Sequence, residues 1–290
     1  MQITNSQAAV DSAFDYCENV ARSHYENFPV ASFFLPRTQR RELAAIYAFA
    51  RAADDFADEG TLSAAERLRH LDAWGRKLDD CFLGNPDGPV FTALAETVAR
   101  AAIPKRPLAD LLVAFRMDVT RNRFATFAEV LHYCKHSADP VGRLVLHVFG
   151  GATDRLLSLS DKVCTGLQLA NFWQDISRDA LHGRVNLPLE DLDRFGYTEK
   201  ELSREVANEQ FRNLLRFEVG RTRGFFEAGK PLLAEAPSAL KFELALTWHG
   251  GECVLRKIED AGYDVLSERP FISFSDKVKI FLRSIMRRMK

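Results

Sequence analysis

Paired cysteines are missing from this chain. Cys17, Cys81, Cys134, Cys164 and Cys253 are odd in number, scattered and never spaced C-x-x-C. This excludes a disulfide framework and a zinc knuckle, leaves reduced, buried thiols, and makes a cytoplasmic setting the expectation. A surplus of one charge is missing too: 39 Lys and Arg stand against 40 Asp and Glu, for a net charge of −1. No overall field therefore draws nucleic acid to the chain, and charge-based function must be local. No run approaches the ~18 apolar residues of a membrane span. Met1-Gln2-Ile3-Thr4-Asn5-Ser6 has neither a basic nor an apolar leader region, so the chain is expected to be neither exported nor membrane-spanning. Alternating β-branched runs, a Gly/Ser/Pro-rich linker and a repeat of fixed period are all lacking.

What is present is helical periodicity. The 290 residues are 47% hydrophobic, ample for a sizeable core. Apolar residues recur at helical spacing over about 8–24, 38–59, 63–83, 89–101, 107–121, 126–136, 139–150, 158–179, 204–230, 237–261 and 274–289. The expected fold class is all-α, as one domain over 1–290. Ser63 followed by Glu66 reads as a capping box, and Gly84-Asn85-Pro86-Asp87-Gly88-Pro89 as a loop. The segment 181–192 resists a helix and is expected to be a loop beside Asp179. It is read either as a lid whose Arg184 reaches a phosphate or as a surface connector.

Two helical segments carry the chemistry. In Tyr47 to Glu59, Asp54 and Asp58 share a stripe with Tyr47 and Arg51; in Gln168 to Asp179, the stripe is Gln168, Asn171, Asp175 and Asp179. Like charges at i and i+4 cost a helix roughly 0.2–0.5 kcal/mol per pair. Acids near a helix C-terminus also oppose its dipole, so the alternative of a solvated acidic face is the weaker one. Leu167, Leu169, Ala170, Phe172, Trp173 and Ile176 make the rest of the second segment apolar. A polar stripe on such a helix faces a cavity. Magnesium takes one or two carboxylates plus substrate phosphate oxygens, so two such clusters would hold two or three ions against a diphosphate and help it leave. The resulting carbocation would need π-faces and exclusion of water. Phe28, Phe33, Phe34, Phe49, Phe56 and Phe172 are candidates for that, or plain core.

These same residues resemble the squalene/phytoene synthases. Leu35-Pro36-Arg37, Ala45 to Arg51 and Asp54 to Asp58 are similar to the family's first aspartate block. Tyr133-Cys134 with Val141-Gly142, and Gln168 to Asp179, are similar to two further blocks, in the family's order and spacing. The resemblance covers nearly the whole chain and implies an all-α isoprenoid synthase fold around a central cavity. His24 to Ser32 and Asn171-Phe172-Trp173-Gln174-Asp175 resemble the hopanoid-pathway branch that makes hydroxysqualene. For that branch the implied reaction is presqualene diphosphate and water to hydroxysqualene and diphosphate, with magnesium and without NADPH. The resemblance implies Asp54, Asp58, Asn171, Asp175 and Asp179 as metal ligands and Tyr133 as the catalytic tyrosine, with a buried structural tyrosine as its alternative. It implies Tyr47, Arg51, Gln168, Asn171, Gln174 and Arg184 as the substrate-binding set.

Two departures stand out. Many members carry arginine where this chain has Gln174, which removes a positive charge from the diphosphate side. Ser137-Ala138-Asp139-Pro140 replaces a run of small residues; Ser137 and Asp139 would hold a water near the cation, or Asp139 caps the following helix. Residues 276–290 form an amphipathic basic helix, read either as peripheral on an anionic membrane or as packed on the domain. Coupling to other hopanoid-pathway enzymes is a further implied partnership. Two rival readings stay open: a sister reaction (squalene, presqualene diphosphate or phytoene synthesis) and a catalytically silent helical protein kept for membrane association or assembly.

Overall fold

The computed structural model describes residues 2–23, 35–58 and 60–288. The His24 to Ser32 opening, and with it Phe28, as well as Phe33, Phe34, Glu59, Met289 and Lys290, lie outside the described residues. The described residues are helical throughout: α1 (Gln2–Ser23), α2 (Arg37–Asp58), α3 (Ala64–Phe82), α4 (Gly88–Ala101), α5 (Lys105–Thr120), α6 (Phe127–Ser137), α7 (Asp139–Val148), α8 (Asp154–Gln174), α9 (Ile176–Leu181), α10 (Leu189–Phe195), α11 (Glu199–Leu202), α12 (Glu209–Gly229), α13 (Leu232–Glu235), α14 (Lys241–Asp260) and α15 (Phe274–Arg288). This is the all-α class expected from the periodicity. The three short helices α10, α11 and α13 are additions to that expectation. The five cysteines are free thiols, and burial pushes Cys17 up to about 12 and Cys81 to about 11.

The chain divides into two compact units, residues 1–120 with 140–153 and residues 121–139 with 154–290. In the first, α2 buries Leu43, Ile46, Phe49, Ala53 and Ala57 at helical spacing. Its small residues Ala44, Ala45 and Ala48 are also fully enclosed, which lets neighbouring backbones come close. Phe49, Phe56, Trp74 and Phe91 form one aromatic cluster, and the Trp74 indole donates to the Phe49 carbonyl at 3.2 Å. Phe49 and Phe56 are therefore packing residues. The capping box of Ser63 and Glu66 opens α3. One turn later, Arg67 donates to the carbonyls of Ala57, Gly60 and Leu62, so a cation closes the C-terminal end of α2.

In the second unit, α8 packs on α12 and α14 through glycines. A Cβ on Gly229 would meet Val163 Cγ2 at 2.6 Å, and one on Gly251 would meet Leu167 Cδ2 at 2.9 Å. Trp173 of α8 is fully buried; its indole donates to Thr222 Oγ1 at 2.8 Å, and that hydroxyl donates to the Glu218 carbonyl at 2.8 Å. Glu218 itself is buried beside Arg221 and Asp191. Burial pushes its carboxyl up to about 8, against the pull of Arg221, with a shared hydrogen bond and the charge of Asp191 adding to the rise. Since its ordinary value is 4.5, the folded protein holds this proton over a window in which the unfolded chain has released it. Stability is therefore lost as pH rises through that window. Glu218→Gln should remove this loss: the wild-type thermal midpoint falls between about pH 5 and about pH 9, and the variant's falls less.

Candidate active site

In the first unit, Tyr47, Arg51 and Asp54 sit on successive turns of α2 and are the polar groups lining a cavity of about 250 Å³. Its remaining walls are apolar, from Leu43 and Ile46 of α2, Leu111 and Phe115 of α5, and Leu144 and Val145 of α7. An apolar pocket with a few convergent polar groups suits a hydrocarbon carrying one charged end. Arg51 is mostly enclosed, with its side chain 18% exposed, and its guanidinium reaches Asp54 Oδ2 at 3.3 Å and Asp55 Oδ1 at 2.5 Å. Burial raises the Tyr47 hydroxyl above its ordinary range; Arg51 pulls it down, and Asp54 and Asp55 push it up. Asp58 lies exposed at the last residue of α2, next to the carbonyl end that Arg67 closes. Asp55, absent from the sequence stripe, is thus a working neighbour of Arg51.

In the second unit the motif helix is bent. The expected continuous helix over 158–179 divides at Asp175, whose φ of −102° and ψ of 10° separate α8 from α9. The hydrogen-bond ladder still runs through the bend, Asp175 N to Asn171 O at 3.0 Å and Asp179 N to Asp175 O at 2.8 Å. Gln168 is half-buried, Asn171 is exposed, and Asp175 and Asp179 are half-buried. Burial raises the Asp179 carboxyl, and Arg184 and a hydrogen bond from Asn186 (2.8 Å) oppose the rise. Arg184 Nε stands 3.7 Å from Asp179 Oδ1.

The loop that carries Arg184 is tied to residues 122–124 by its backbone. Val185 N donates to Asn122 O at 2.9 Å, Leu189 N to Phe124 O at 3.0 Å and Arg123 Nη1 to Gly183 O at 2.5 Å, while Val185 and Leu187 are buried. Helix α10 then begins inside the stretch expected to be loop, at Leu189.

Gln174 lies off the carboxylate stripe. It is buried and donates to the Pro270 carbonyl at 2.6 Å. The next residue of that strap, Arg269, forks onto Asp175: Nε to Oδ1, and Nη2 to Oδ2 at 3.2 Å. A positive charge is thereby brought to Asp175 from the far end of the chain, a bidentate pairing that arginine's planar donor set favours. Sequence spacing gave no signal for Arg269. Tyr133 is half-buried on α6, its ring 5.7 Å from both Phe124 and Phe172. Two residues beyond α6's Lys135, the hydroxyl of Ser137 is buried with no hydrogen-bond partner. The Asp139 carboxylate is buried and accepts from Thr165 Oγ1 of α8 at 2.9 Å.

The donor set fits a hard divalent cation in one particular way. Among the described residues no three His, Cys, Asp or Glu side chains converge as a ready metal cage. The oxygens of Asp54 with Asp58, and of Asp175 with Asp179 and Asn171, match a cation that takes one or two carboxylates and fills its other positions with water and phosphate.

Comparison with known proteins follows the same residues. The squalene/phytoene synthase family model matches residues 21–276. The chain is 36% identical over 247 residues to a hydroxysqualene synthase of Rhodopseudomonas palustris, covering 84% of this chain and 82% of the relative. It is 30% identical over 278 residues to a phytoene synthase of Arthrospira platensis, covering 91% and 90%. The crystal structure of squalene synthase HpnC from Alicyclobacillus acidocaldarius superposes with a TM-score of 0.84 at 39% identity, over 88% of this chain and 96% of that one. Fold, motif blocks and coverage agree: this chain belongs to the squalene/phytoene synthase family, the all-α isoprenoid synthases that act on prenyl diphosphates.

Proposed function

We propose that the protein is a hydroxysqualene synthase, converting presqualene diphosphate and water to hydroxysqualene and diphosphate. The observation that carries this reading is the buried pair at the end of α6, where the unpartnered Ser137 hydroxyl lies two residues from the Thr165-held Asp139 carboxylate. A buried hydroxyl without a partner costs about 1–3 kcal/mol, and a bound water would repay it while standing ready as the nucleophile. The identity to hydroxysqualene synthases is further support.

In this reading Asp54 and Asp58, and separately Asp175, Asp179 and Asn171, hold magnesium. A cation bound there would supply neutralisation of the charge that develops on diphosphate as the C–O bond breaks. Arg51 with Tyr47 in the first unit, and Arg184 and Arg269 with Gln168 in the second, would bind phosphate oxygens. The apolar cavity beneath Tyr47 takes a prenyl chain and keeps water from it. Tyr133 steers a proton near the departing group. Rearrangement of the cyclopropylcarbinyl cation is followed by addition of the held water, whose proton passes to the Asp139 side, so the reaction needs no reductant and no NADPH. The 30% identity to phytoene synthases favours a second reading, condensation of two prenyl diphosphates on the same scaffold.

Product analysis separates them. Purified protein with presqualene diphosphate and magnesium should give the alcohol by mass spectrometry, with or without NADPH, and Ser137→Ala should lower the alcohol share of the product. Squalene formed only with NADPH, or a condensed product formed only from a shorter diphosphate, would overturn the proposal.

A further inference from the structure

Helix α15 sits on the protein through Asp276, Ser284 and the ring of Phe281, which meets Phe242 of α14 edge-on at 5.7 Å. Asp276 pairs with Lys257 of α14 at 2.8 Å, and Ser284, two turns on, is 1% exposed. Three of its large apolar side chains are turned outward: Phe274 is 82% exposed, Leu282 53% and Val278 42%. Just before the helix, Phe271 is exposed as well. At about 100° per residue, positions 274, 278 and 282 share one arc of roughly 80°, on the side away from 276 and 280. A helix that belonged only to a globular core would be turned over.

Cations border this arc. Lys277 falls beside one edge and Lys279 beside the other, with Arg283 further round on the Lys279 side, all three exposed. Over residues 276–290 the sequence has six Lys and Arg against one Asp, in a chain whose net charge is −1. Two copies meeting through this surface would bring these cations together, whereas an anionic surface is complementary to them. We propose that Phe271 and the outer face of α15 form a docking surface for an anionic lipid bilayer, with Phe274, Val278 and Leu282 entering the acyl boundary and Lys277, Lys279 and Arg283 meeting the headgroups.

The placement gives this surface a purpose. Phe271 is two residues from Arg269, which grips Asp175, and one from Pro270, which Gln174 holds. The bilayer contact is thus tied by a short strap to the second carboxylate cluster. That purpose rests on the proposed function, but the docking itself does not.

Sedimentation of the full chain with vesicles tests it without any enzyme assay. The wild type should pellet with vesicles of phosphatidylcholine and phosphatidylglycerol, and much less with phosphatidylcholine alone. Phe274→Glu with Leu282→Glu should weaken binding about tenfold or more, with the helical circular dichroism and turnover of detergent-dispersed substrate unchanged. Lys277→Gln with Lys279→Gln and Arg283→Gln should weaken binding to the anionic vesicles only, and added salt should mimic it. Failure of the wild type to pellet with anionic vesicles overturns the proposal, as does wild-type binding by the double glutamate variant. A dimer in light scattering that the glutamates convert to monomer, with vesicle binding unaltered, would assign the surface to a second copy and also overturn it.

Discussion

Asp54→Asn and Asp175→Asn are each expected to lower turnover by on the order of 10²–10³, with the fold intact. Asparagine keeps the size and one oxygen of the side chain but removes the charge. In α2 the loss leaves Arg51 with Asp55, 2.5 Å away, so the local packing has a partner to fall back on. Between α8 and α9 it removes the anion onto which Arg269 forks. Neither position is fully enclosed, which is why circular dichroism and thermal midpoint should move little while the rate collapses. Steady-state turnover of each variant, beside its melting curve, makes the check. Turnover within twofold of wild type in either variant would leave those carboxylates without a part in the reaction and revive the reading of a silent helical protein.

Trp173→Ala is expected to cost the largest share of stability, ~3–5 kcal/mol, because it empties a site where the side chain has no exposure at all. The indole also holds the Thr222 hydroxyl, which would be left facing a void. Trp173→Phe restores most of the volume but not that hydrogen bond, so its cost should be smaller, about 1–2 kcal/mol. Urea titrations report both as shifts in midpoint at unchanged slope. Trp173 lies between Asn171 and Asp175, so the alanine variant should also lose activity at temperatures where it remains folded. Equal stability of wild type and Trp173→Ala would contradict the packing described for α8.

The parts of the fold that are legible in the sequence are those set by short-range rules. The α2 stripe, the Ser63 and Glu66 capping box and the amphipathic pattern of α15 depend on residues within a few positions of each other, and each appears where spacing puts it. Arg269 is 94 positions from Asp175, and no local pattern announces that pairing. Gln174 shows the same limit: motif position suggests the substrate, whereas its partner is a carbonyl 96 residues away. The stretch 181–192 lacks helical periodicity, yet its backbone is tied to residues 122–124, a pairing that depends on tertiary neighbours. In α15 the spacing shows two faces but not which one is seated, because that depends on what α14 offers.

The arginines beside the motif carboxylates have one more consequence. Arg51 on Asp54 and Asp55, Arg184 near Asp179 and Arg269 on Asp175 are counter-ions built into the chain. The helices that carry these acids need no small ion to relieve their mutual repulsion while folding. Chelators are therefore expected to leave the fold intact, which melting curves with and without a chelator check.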